Sequence, residues 1–384
     1  MHLVFVINNA AFFVSHRLPI AVEAKRRGWQ ITLVTGRAGS DEMENAATAV
    51  LAKEGIVHYR LPFGSATVNP FRELWGLVRM ALLLRRLRPN IVHGASPKGI
   101  LYGGIAAQLA GVPSLVLAIS GMGYAFTAGS DGGLSRKLIG AVITALARSA
   151  FGHRNRKVIV QNLDDERWVI ESGLCPREDV HLIPGSGVDE SYFREPPVSG
   201  KASLVVFPAR LLKDKGVMEF VEAVRLIKHQ VPDWRFVVAG VADYRSPNAV
   251  SSVEVEAWVA EGLIEWLGYV SDMPSLLTEA SVVCLPSYRE GLPKALLEAA
   301  AAGCAIIAAN SVGCREAIVA GETGELVPPR DAHALAATLI ALIGDPQRCE
   351  AYGRSGRLLA RQRFSLEAIL TQIFGLYAAL QSRV

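Results

Sequence analysis

The chain of 384 residues is longer than one ordinary domain and fits two domains of roughly 150–200 residues each. Its residues are 51% hydrophobic and 20% charged, without a low-complexity tract, and this composition excludes a disordered or fibrous protein. The net charge of +4 is unevenly distributed, because residues 1–184 carry 21 Lys and Arg against 13 Asp and Glu, and residues 185–384 carry 19 against 23. The basic first half predicts an anionic partner, such as a phosphate-bearing ligand or a membrane surface, with chance drift of surface charge as the alternative.

Five scattered cysteines give neither a disulfide framework nor paired metal-ligand spacing, which favours a reducing cytoplasm. No basic segment precedes the first apolar run, so a secretory leader is not expected. Residues 99–130 lack charge, but glycines and Pro113 interrupt them. A helix, a turn and a strand are therefore expected there rather than a membrane span.

Short apolar strands alternate with helices through the first half of the chain. The predicted strands are Leu3–Ile7, Ile31–Val34, 56–60, Ile91–His93, Leu115–Ile119 and Val158–Val160, and the predicted helices cover about 14–27, 41–54, 71–88, 99–110 and 134–150. Continuous apolar runs of this length are typical of parallel strands that are buried on both faces. The alternation predicts a doubly wound parallel sheet.

A second series of the same kind follows a stretch rich in Gly and Pro. Its predicted strands are Leu204–Phe207, Phe236–Ala239, Val282–Leu285 and Ala305–Ala308, with helices at 216–229, 251–260, from Pro293, 331–343 and 346–362. The predicted organisation is a domain over 1–184, a linker over 185–201, a domain over 202–364 and a C-terminal helix over 365–384 that packs back towards the first domain. The fold class is α/β, with two Rossmann-like doubly wound domains facing an interdomain cleft, and that cleft is the expected active site.

The densest candidate site is the run from Pro286 to Ala299, which leaves a buried strand and enters a helix near Pro293. Glu290 lies in the loop, and Glu298 lies little more than one turn inside the helix. The free backbone amides at the start of this helix would face an anion bound there. The two carboxylates would accept hydrogen bonds from vicinal hydroxyls of a sugar. The pattern suits a sugar nucleotide, whereas the alternative is two acids that merely favour the helix dipole.

A second candidate cluster joins a strand end to a helix start at Phe207–Gly216. Arg210 is suited to bind a phosphate bidentately, and Lys215 supplies a point charge to the same group. A diphosphate leaving group needs such charge when its bond to the sugar breaks. A basic loop alone is weak evidence for a phosphate site. The presence of both clusters in one predicted domain makes the prediction of a sugar-nucleotide site stronger.

These residues resemble the donor-site signature of glycosyltransferase family 4, which comprises retaining enzymes of GT-B architecture. The likeness covers nearly the whole chain: Arg210 and Lys215, Glu290-Gly-Leu-Pro with Glu298, Ile183–Asp189, Gly313–Glu316 and Gly321–Pro328. Within the family, the chain resembles the bacterial subgroup that extends polyprenyl-diphosphate-linked oligosaccharides. Two segments carry this closer resemblance, Ser96-Pro97-Lys98 and Ile119–Thr127.

The resemblance implies roles for the matching residues. Arg210 and Lys215 would hold the donor diphosphate, Glu290 the hydroxyls of the transferred sugar and Glu298 the ribose of the nucleotide. Other donor contacts would be the amides of Gly291 and Leu292 and a base pocket near Gly268 and Tyr269. Lys294, just past the loop, is a further candidate at the donor diphosphate, with a solvated lysine as the alternative. The implied activity is retaining transfer of a hexose or N-acetylhexosamine from a UDP-sugar to a lipid-linked acceptor in polysaccharide or glycoconjugate biosynthesis.

On the acceptor side the sequence departs from the family pattern, with Ser120 where many members have His and Asn8-Asn9 where many have a Gly pair. Candidate acceptor residues are Asn8, Asn9, His16, Lys98, Ser120 and Gly121. For each the alternative is a turn-forming, packed or solvated residue.

No Asp-x-Asp pair occurs in a suitable loop, and the histidines show no metal-ligand spacing. We therefore expect metal-independent chemistry with no cofactor, and no nucleic-acid partner. The alternatives are a sugar-nucleotide epimerase of similar architecture and a non-catalytic protein that binds sugar nucleotides. A nicotinamide-dependent oxidoreductase is disfavoured, because no Gly-x-Gly-x-x-Gly opens the first helix.

Membrane association without a span is predicted for the first domain. Arg72, Arg79 and Arg86 recur every seven residues in helix 71–88, beside Trp75 and several leucines. A second basic run extends from Arg148 to Lys157. For the helix alone, an ordinary sheet-covering role with leucines in the core is favoured. The membrane prediction rests on the basic charge and the polyprenyl acceptor, and it places the protein in the cytoplasm, peripheral at the inner face of the cell membrane.

Overall fold

The computed structural model describes residues 1–36, 41–63, 70–121, 144–195, 200–242, 246 and 248–383. Within them the chain divides into two compact units, Met1–Ser186 with Leu370–Val384, and Gly187–Ile369. Each unit is built on one parallel sheet with helices in the connections, as the alternation of apolar strands and helices predicts.

The first unit has a seven-stranded sheet in the order β3-β2-β1-β4-β5-β6-β7. Its strands are β1 His2–Ile7, β2 Gln30–Thr35, β3 Val57–Arg60, β4 Ile91–Ala95, β5 Ser114–Ala118, β6 Arg156–Val160 and β7 Val180–Leu182. Its helices are Ala10–His16, Leu18–Arg26, Asp41–Lys53, Pro70–Leu87, Pro97–Ala110, 144–151 and Leu163–Glu171. The strand order reverses between β1 and β4, and this creates a switch point at their carboxyl ends.

The second unit has a six-stranded sheet in the order β10-β9-β8-β11-β12-β13. Its strands are β8 Ala202–Phe207, β9 Arg235–Ala239, β10 Glu265–Gly268, β11 Ala280–Leu285, β12 Ala305–Ala309 and β13 Gly324–Val327. Its helices are Val217–Ile227, Ser252–Ala260, Met273–Glu279, Lys294–Ala301, Ala332–Ile343 and Pro346–Leu359, followed by a π-helical turn, Ala360–Phe364. The switch point here lies between β8 and β11.

The uncharged stretch after Lys98 forms the buried helix Pro97–Ala110 and strand β5. A side chain at Gly99 would overlap the carbonyl of Val6, and one at Gly103 would lie 3.1 Å from the Val6 side chain. Glycine at these two positions lets the helix lie close against β1, which explains an apolar composition without a bilayer. None of the helices in the described ranges has both the length and the apolarity needed to cross a membrane.

The helix Leu366–Gln381 begins in the second unit and ends in the first. Its Tyr377 is fully buried, and the hydroxyl hydrogen-bonds Nδ1 of His93 on β4 at 2.6 Å. The Trp29 ring lies 5.5 Å from that of Phe374 on the same helix. These contacts fasten the last residues of the chain to the first sheet.

The predicted helix over 14–27 is wrong in its bounds. The structure has two helices, Ala10–His16 and Leu18–Arg26, because Pro19 lacks the amide that would continue the first one. The helix predicted over 134–150 lies mostly outside the described residues. The edge strands β7, β10 and β13 were not predicted, since half-exposed strands such as Glu265–Gly268 lack a continuous apolar run.

Candidate functional site

Two loops lie side by side at the switch point of the second sheet. One follows β8 and carries Arg210 and Lys215, and the other follows β11 and carries Glu290. Because β8 and β11 are hydrogen-bonded neighbours, their carboxyl ends bring both loops to one edge of the sheet. Ligands of doubly wound sheets bind at such an edge.

The two loops meet in an ion pair. The ammonium Nζ of Lys215 lies 2.5 Å from Oε1 of Glu290, and both side chains are half-buried. The hydroxyl of Ser287 donates a second hydrogen bond to the same oxygen at 2.8 Å. The Glu290 carboxylate is therefore fixed in place, with a cation against it.

Backbone contacts fix the loop after β11. The amide of Tyr288 donates to the carbonyl of Asp214 at 2.9 Å, and the amide of Glu290 donates to the carbonyl of Val312 at 2.9 Å. The Ser311 hydroxyl donates to the carbonyl of Ser287 at 2.7 Å. The loop is thus held by the chain after β8 on one side and by the chain after β12 on the other.

Two glycines make this close packing possible. Gly216 has φ +77°, and a side chain there would overlap the carbonyl of Pro286. Gly313 has φ +82°, and a side chain there would overlap the carbonyl of Glu290. Both residues combine a left-handed backbone with a contact that leaves no room for a Cβ. Both glycines lie in segments that the sequence marks, Phe207–Gly216 and Gly313–Glu316, but neither was predicted to be a site residue.

Arg210 lies on the same loop as Lys215, three residues past the end of β8, and its side chain is exposed. Its carbonyl accepts from the amide of Leu212 at 2.8 Å, and Leu211 is fully buried. The buried leucine anchors the loop and leaves the guanidinium at its surface.

Glu298 is buried one turn inside the helix Lys294–Ala301, with 8% of its surface exposed. Lys294 Nζ lies 3.2 Å from Oε1 of Glu298, and the Tyr192 hydroxyl hydrogen-bonds the same carboxylate. Burial raises the pKa of Glu298, whereas Lys294 and Tyr192 oppose that rise. Lys294, predicted to assist at the diphosphate, is therefore a partner of Glu298 in this structure.

The remaining predicted donor residues lie near the same edge of the sheet. Gly291 and Leu292 are buried directly after Glu290. Gly268 ends β10 with φ +62°, and the Tyr269 ring that follows is 76% exposed. Pro293 is the residue that precedes the first helical turn rather than part of that turn.

In the first unit, Asn8 and Asn9 follow β1, and Lys98 follows β4, so they flank the switch point of that sheet. The Asn9 side chain caps the helix Ala10–His16 by accepting from the amide of Phe12 at 2.7 Å. Oδ1 of Asn8 accepts from the hydroxyl of Ser96 at 2.8 Å. The Asn9 side chain thus caps a helix, and the Asn8 side chain joins the loops after β1 and β4. Acceptor contact by either residue stays a prediction.

Lys98 belongs to a small polar cluster. Its Nζ lies 3.0 Å from Oε1 of Glu73, and the Tyr102 hydroxyl donates to Oε2 of Glu73 at 2.6 Å. Glu73 is only 8% exposed, and this hydrogen bond together with burial raises the pKa of Tyr102. The cluster ties Lys98 to the helix Pro70–Leu87.

The other predicted acceptor residues are dispersed. The His16 ring stacks on Phe12, with centroids 4.3 Å apart. Ser120 and Gly121 follow β5 and line a small cavity with Ser96 and Trp168. The rest of their motif, residues 122–127, lies outside the described residues.

Three side chains that hold predicted site residues in place were not themselves predicted from the sequence: Ser287, Tyr192 and Glu73. Ser287 had a local signal, since it lies between the strand and Glu290. Tyr192 and Glu73 had none, because they are distant in sequence from Glu298 and Lys98. In the part of the chain that the structure describes, no three His, Cys, Asp or Glu side chains gather as a group that could hold a metal ion.

Comparison with known families decides the class. A glycosyl transferase 4-like domain matches residues 16–185, and the glycosyl transferases group 1 family matches residues 188–359. The two glycosyltransferase models together cover most of the chain. The chain is a glycosyltransferase. This confirms the resemblance to glycosyltransferase family 4 that Arg210, Lys215, Glu290 and Glu298 carry.

Two bacterial relatives illustrate the similarity of this glycosyltransferase to curated proteins. N,N'-diacetylbacillosaminyl-diphospho-undecaprenol alpha-1,3-N-acetylgalactosaminyltransferase of Campylobacter jejuni is 27% identical over 90% of this chain and 90% of its own. UDP-Gal:alpha-D-GlcNAc-diphosphoundecaprenol alpha-1,3-galactosyltransferase of Escherichia coli is 28% identical over 68% of each chain.

Solved structures confirm the predicted GT-B fold class. HepE of Anabaena, in complex with UDP and glucose, has a TM-score of 0.77 and 19% identity, with 99% of this chain and 100% of that chain covered. Sucrose-phosphate synthase of Thermosynechococcus elongatus has a TM-score of 0.75 and 18% identity, with 100% of both chains covered.

Proposed function

We propose that this glycosyltransferase moves a hexose or N-acetylhexosamine, with retention, from a UDP-sugar to a polyprenyl-diphosphate-linked sugar acceptor in bacterial polysaccharide or glycoconjugate biosynthesis. The observation that carries the proposal is the pair of Lys215 and Glu290 at the switch point of the second sheet. It brings together a cation of the kind that binds phosphate and a carboxylate of the kind that accepts from sugar hydroxyls, and this supports the proposal.

The acceptor class is supported by the relatives. Two proteins that align with most of this chain act, by their names, on sugars linked to undecaprenol through a diphosphate. The same names support the polysaccharide context. A polyprenyl acceptor resides in a membrane, so the protein would work in the cytoplasm at the inner face of the cell membrane.

The donor class is supported by the neighbouring structure of HepE, which was obtained with UDP and glucose. In this chain, Arg210 and Lys215 would bind the diphosphate, and the amides of Gly291 and Leu292 would face the same group. Glu290 would accept hydrogen bonds from the transferred sugar. Glu298 would accept them from the ribose, with Gly268 and Tyr269 near the base.

The proposed reaction breaks the bond between C1 of the sugar and the diphosphate oxygen. Negative charge develops on the departing diphosphate, and the cations of Arg210 and Lys215 would stabilise it in the transition state. The acceptor hydroxyl forms its bond to C1 on the face that the diphosphate leaves, and the departing phosphate oxygen takes the hydroxyl proton. Retention agrees with the name of the Escherichia coli relative, which states UDP-galactose as donor and an alpha-1,3 linkage as product, because UDP-galactose carries its sugar in α linkage.

On the acceptor side, Lys98 is the residue we assign to the acceptor diphosphate, since it lies at the switch point of the first sheet. Ser120 and Gly121 would border the acceptor beyond β5. Asn8, Asn9 and His16 would contribute through the first loop that they shape.

The testing experiment incubates the pure protein with a panel of radiolabelled UDP-sugars, with and without a lipid-linked acceptor. Transfer of label to lipid only when acceptor is present supports the proposal. Conversion of one nucleotide sugar into an isomer would instead identify an epimerase. Tight binding without any conversion would identify a non-catalytic protein.

A further inference from the structure

The helix Pro70–Leu87 has two apolar faces. On one face Met80 and Leu84 are buried in the apolar core of the first unit, where the helix packs against the helix Pro97–Ala110, with 0% and 1% of their surfaces exposed. On the opposite face Leu74 is 60% exposed, Trp75 57% and Leu82 59%. A sheet-covering helix ordinarily presents charged residues to water, whereas a helix that is apolar all round is covered on both sides. The expectation that its leucines lie in the core is therefore wrong for Leu74 and Leu82.

The exposed residues form one stripe. Phe71, Leu74, Val78 and Leu82 are spaced by three or four residues, and Trp75 lies four residues after Phe71 and three before Val78. This spacing places all five along one side of the helix. Scattered exposed apolar residues are ordinary, but a continuous stripe marks an interaction surface. We call these five residues the apolar stripe.

Arginines border the apolar stripe. Arg79 and Arg86 are exposed and lie seven residues apart on one flank, and Arg85 is exposed near the end of the helix. The helix contains one acid, Glu73, which is buried and paired with Lys98. The outer face is thus apolar and positive, without an exposed carboxylate.

We propose that the apolar stripe and its arginines dock on an anionic lipid bilayer. Apolar side chains enter the headgroup boundary, while the arginines contact lipid phosphates. A second copy of the chain is a poorer occupant, because two such faces in contact would bring like charges together. The proposal names the surface that would contact the membrane in which the polyprenyl acceptor lies. It rests on the proposed function only for the identity of that acceptor.

The docking face is connected to the acceptor side of the first unit. Glu73 lies on the buried side of the same helix and binds both Lys98 and Tyr102. Lys98 lies in the first turn of the helix Pro97–Ala110, three residues past the end of β4 at the switch point of the sheet. A helix held at the bilayer surface would therefore hold the Lys98 ammonium at a constant position relative to that surface.

Two cations of the second basic run, Arg156 and Lys157, are turned into the first unit rather than towards a lipid surface. Lys157 and Arg156 lie 3.4 Å and 3.7 Å from the carboxylate of Asp179, and Arg383 lies 3.4 Å from it. Asp179 is buried, so these cations are engaged in an internal cluster. Arg148 and Arg154 of the same run are exposed, so the prediction of lipid contact stays a prediction for these two residues.

The test measures sedimentation of the full chain with vesicles of phosphatidylcholine alone or mixed with phosphatidylglycerol. One variant is Leu74→Ser/Trp75→Ser/Leu82→Ser, and the other is Arg79→Gln/Arg86→Gln. Removal of two arginines should lower the vesicle partition coefficient about 25-fold at low salt, since each contributes a factor of about five. The triple serine variant should lose at least about tenfold on the same vesicles.

Two control variants test whether vesicle binding depends on the apolar stripe and its arginines or on any comparable change of the protein surface. Val253→Ser/Val259→Ser/Leu358→Ser removes exposed apolar residues of the second unit, and Arg167→Gln/Arg177→Gln removes exposed charge elsewhere in the first. Both controls should bind vesicles like the wild type. Thermal unfolding checks that all variants fold. All variants should also transfer sugar at the wild-type rate to a water-soluble acceptor, in which a short prenyl chain replaces the polyprenyl chain of the diphosphate-linked sugar.

The proposal is overturned if the wild-type chain stays in the supernatant with phosphatidylglycerol vesicles, or if the stripe variants bind as well as the controls. It is also overturned if the stripe variants convert a dimer into monomers without any loss of vesicle binding. A chain that binds vesicles through this face but transfers no sugar would sustain the docking and contradict only the proposed function.

Discussion

Lys215 Nζ lies 2.5 Å from Glu290 Oε1, although the two residues follow different strands of the second sheet. The pair joins the loops at the switch point, and Ser287 adds a hydrogen bond to the same carboxylate oxygen. Each partner has a separate role in the proposed reaction, so their substitutions should have different kinetic consequences.

Replacement of Lys215 should chiefly affect catalysis. The Lys215→Ala variant loses a fixed cation beside the departing diphosphate, and its kcat should fall roughly 10²–10³-fold, as for other groups that stabilise transition-state charge. Steady-state kinetics with saturating UDP-sugar measures the change. The matched control is Lys213→Ala, an exposed lysine of the same loop, which should remain near the wild-type rate. A loss below about threefold in Lys215→Ala would refute the assignment.

The two acids should separate turnover from binding. Glu298→Gln should weaken UDP binding about tenfold or more, because it removes a charged acceptor from the ribose. Glu290→Gln should leave UDP binding nearly unchanged and lower kcat about 10²-fold through misplacement of the sugar. Calorimetric titration with UDP and steady-state kinetics distinguish these results. Wild-type binding and turnover in both variants would show that the loop has another purpose.

Ser287 should act as a positioning residue for Glu290. Ser287→Ala removes the hydrogen bond to Oε1 and should lower kcat about tenfold with little change in the Kd of UDP. Ser287→Thr keeps the hydroxyl and should recover most of the loss. If threonine and alanine behaved alike, the hydroxyl would have no part in holding the carboxylate.

Binding of the donor should depend on the protonation of Glu298. Burial raises the pKa of this carboxyl, and a protonated carboxyl accepts fewer hydrogen bonds from the ribose. The affinity for a UDP-sugar should therefore increase as the pH rises through the pKa of Glu298 and become constant above it. Titrations with UDP-glucose between about pH 4.5 and 8 measure this, since its diphosphate diester keeps a constant charge. The same dependence in Glu298→Gln would assign the titration to another group.

The sequence was sufficient for the parts of the fold that have strong local signals. Buried strands such as β1 and β11 are continuous apolar runs, and the loops after them were identified as site candidates for that reason. The short strands β7, β10 and β13 are partly exposed and carry polar residues, so they lack that signal. The break at Arg17 between the helices Ala10–His16 and Leu18–Arg26 depends on Pro19. From the sequence alone, a proline at this position is compatible with one kinked helix or with two separate helices.

The site was predictable as a set of loops but less so as a set of contacts. Lys215 and Glu290 could be placed at strand ends from their spacing, whereas the hydrogen bond of Tyr192 to Glu298 joins distant segments that no local pattern connects. The helix Pro70–Leu87 is a similar case. A leucine-rich sequence is compatible with either face turned to the sheet, and only packing shows that Leu74 and Leu82 face outward.

The most direct test of the proposed function is the linkage of the product formed on a lipid-linked acceptor. The pure protein is incubated with each UDP-sugar and undecaprenyl-diphosphate-linked sugar in vesicles, and the product is examined by nuclear magnetic resonance. The account predicts one UDP released for each sugar transferred, and an α linkage from an α-linked donor. A β linkage, or a sugar that remains on the nucleotide with every donor and acceptor, would contradict it.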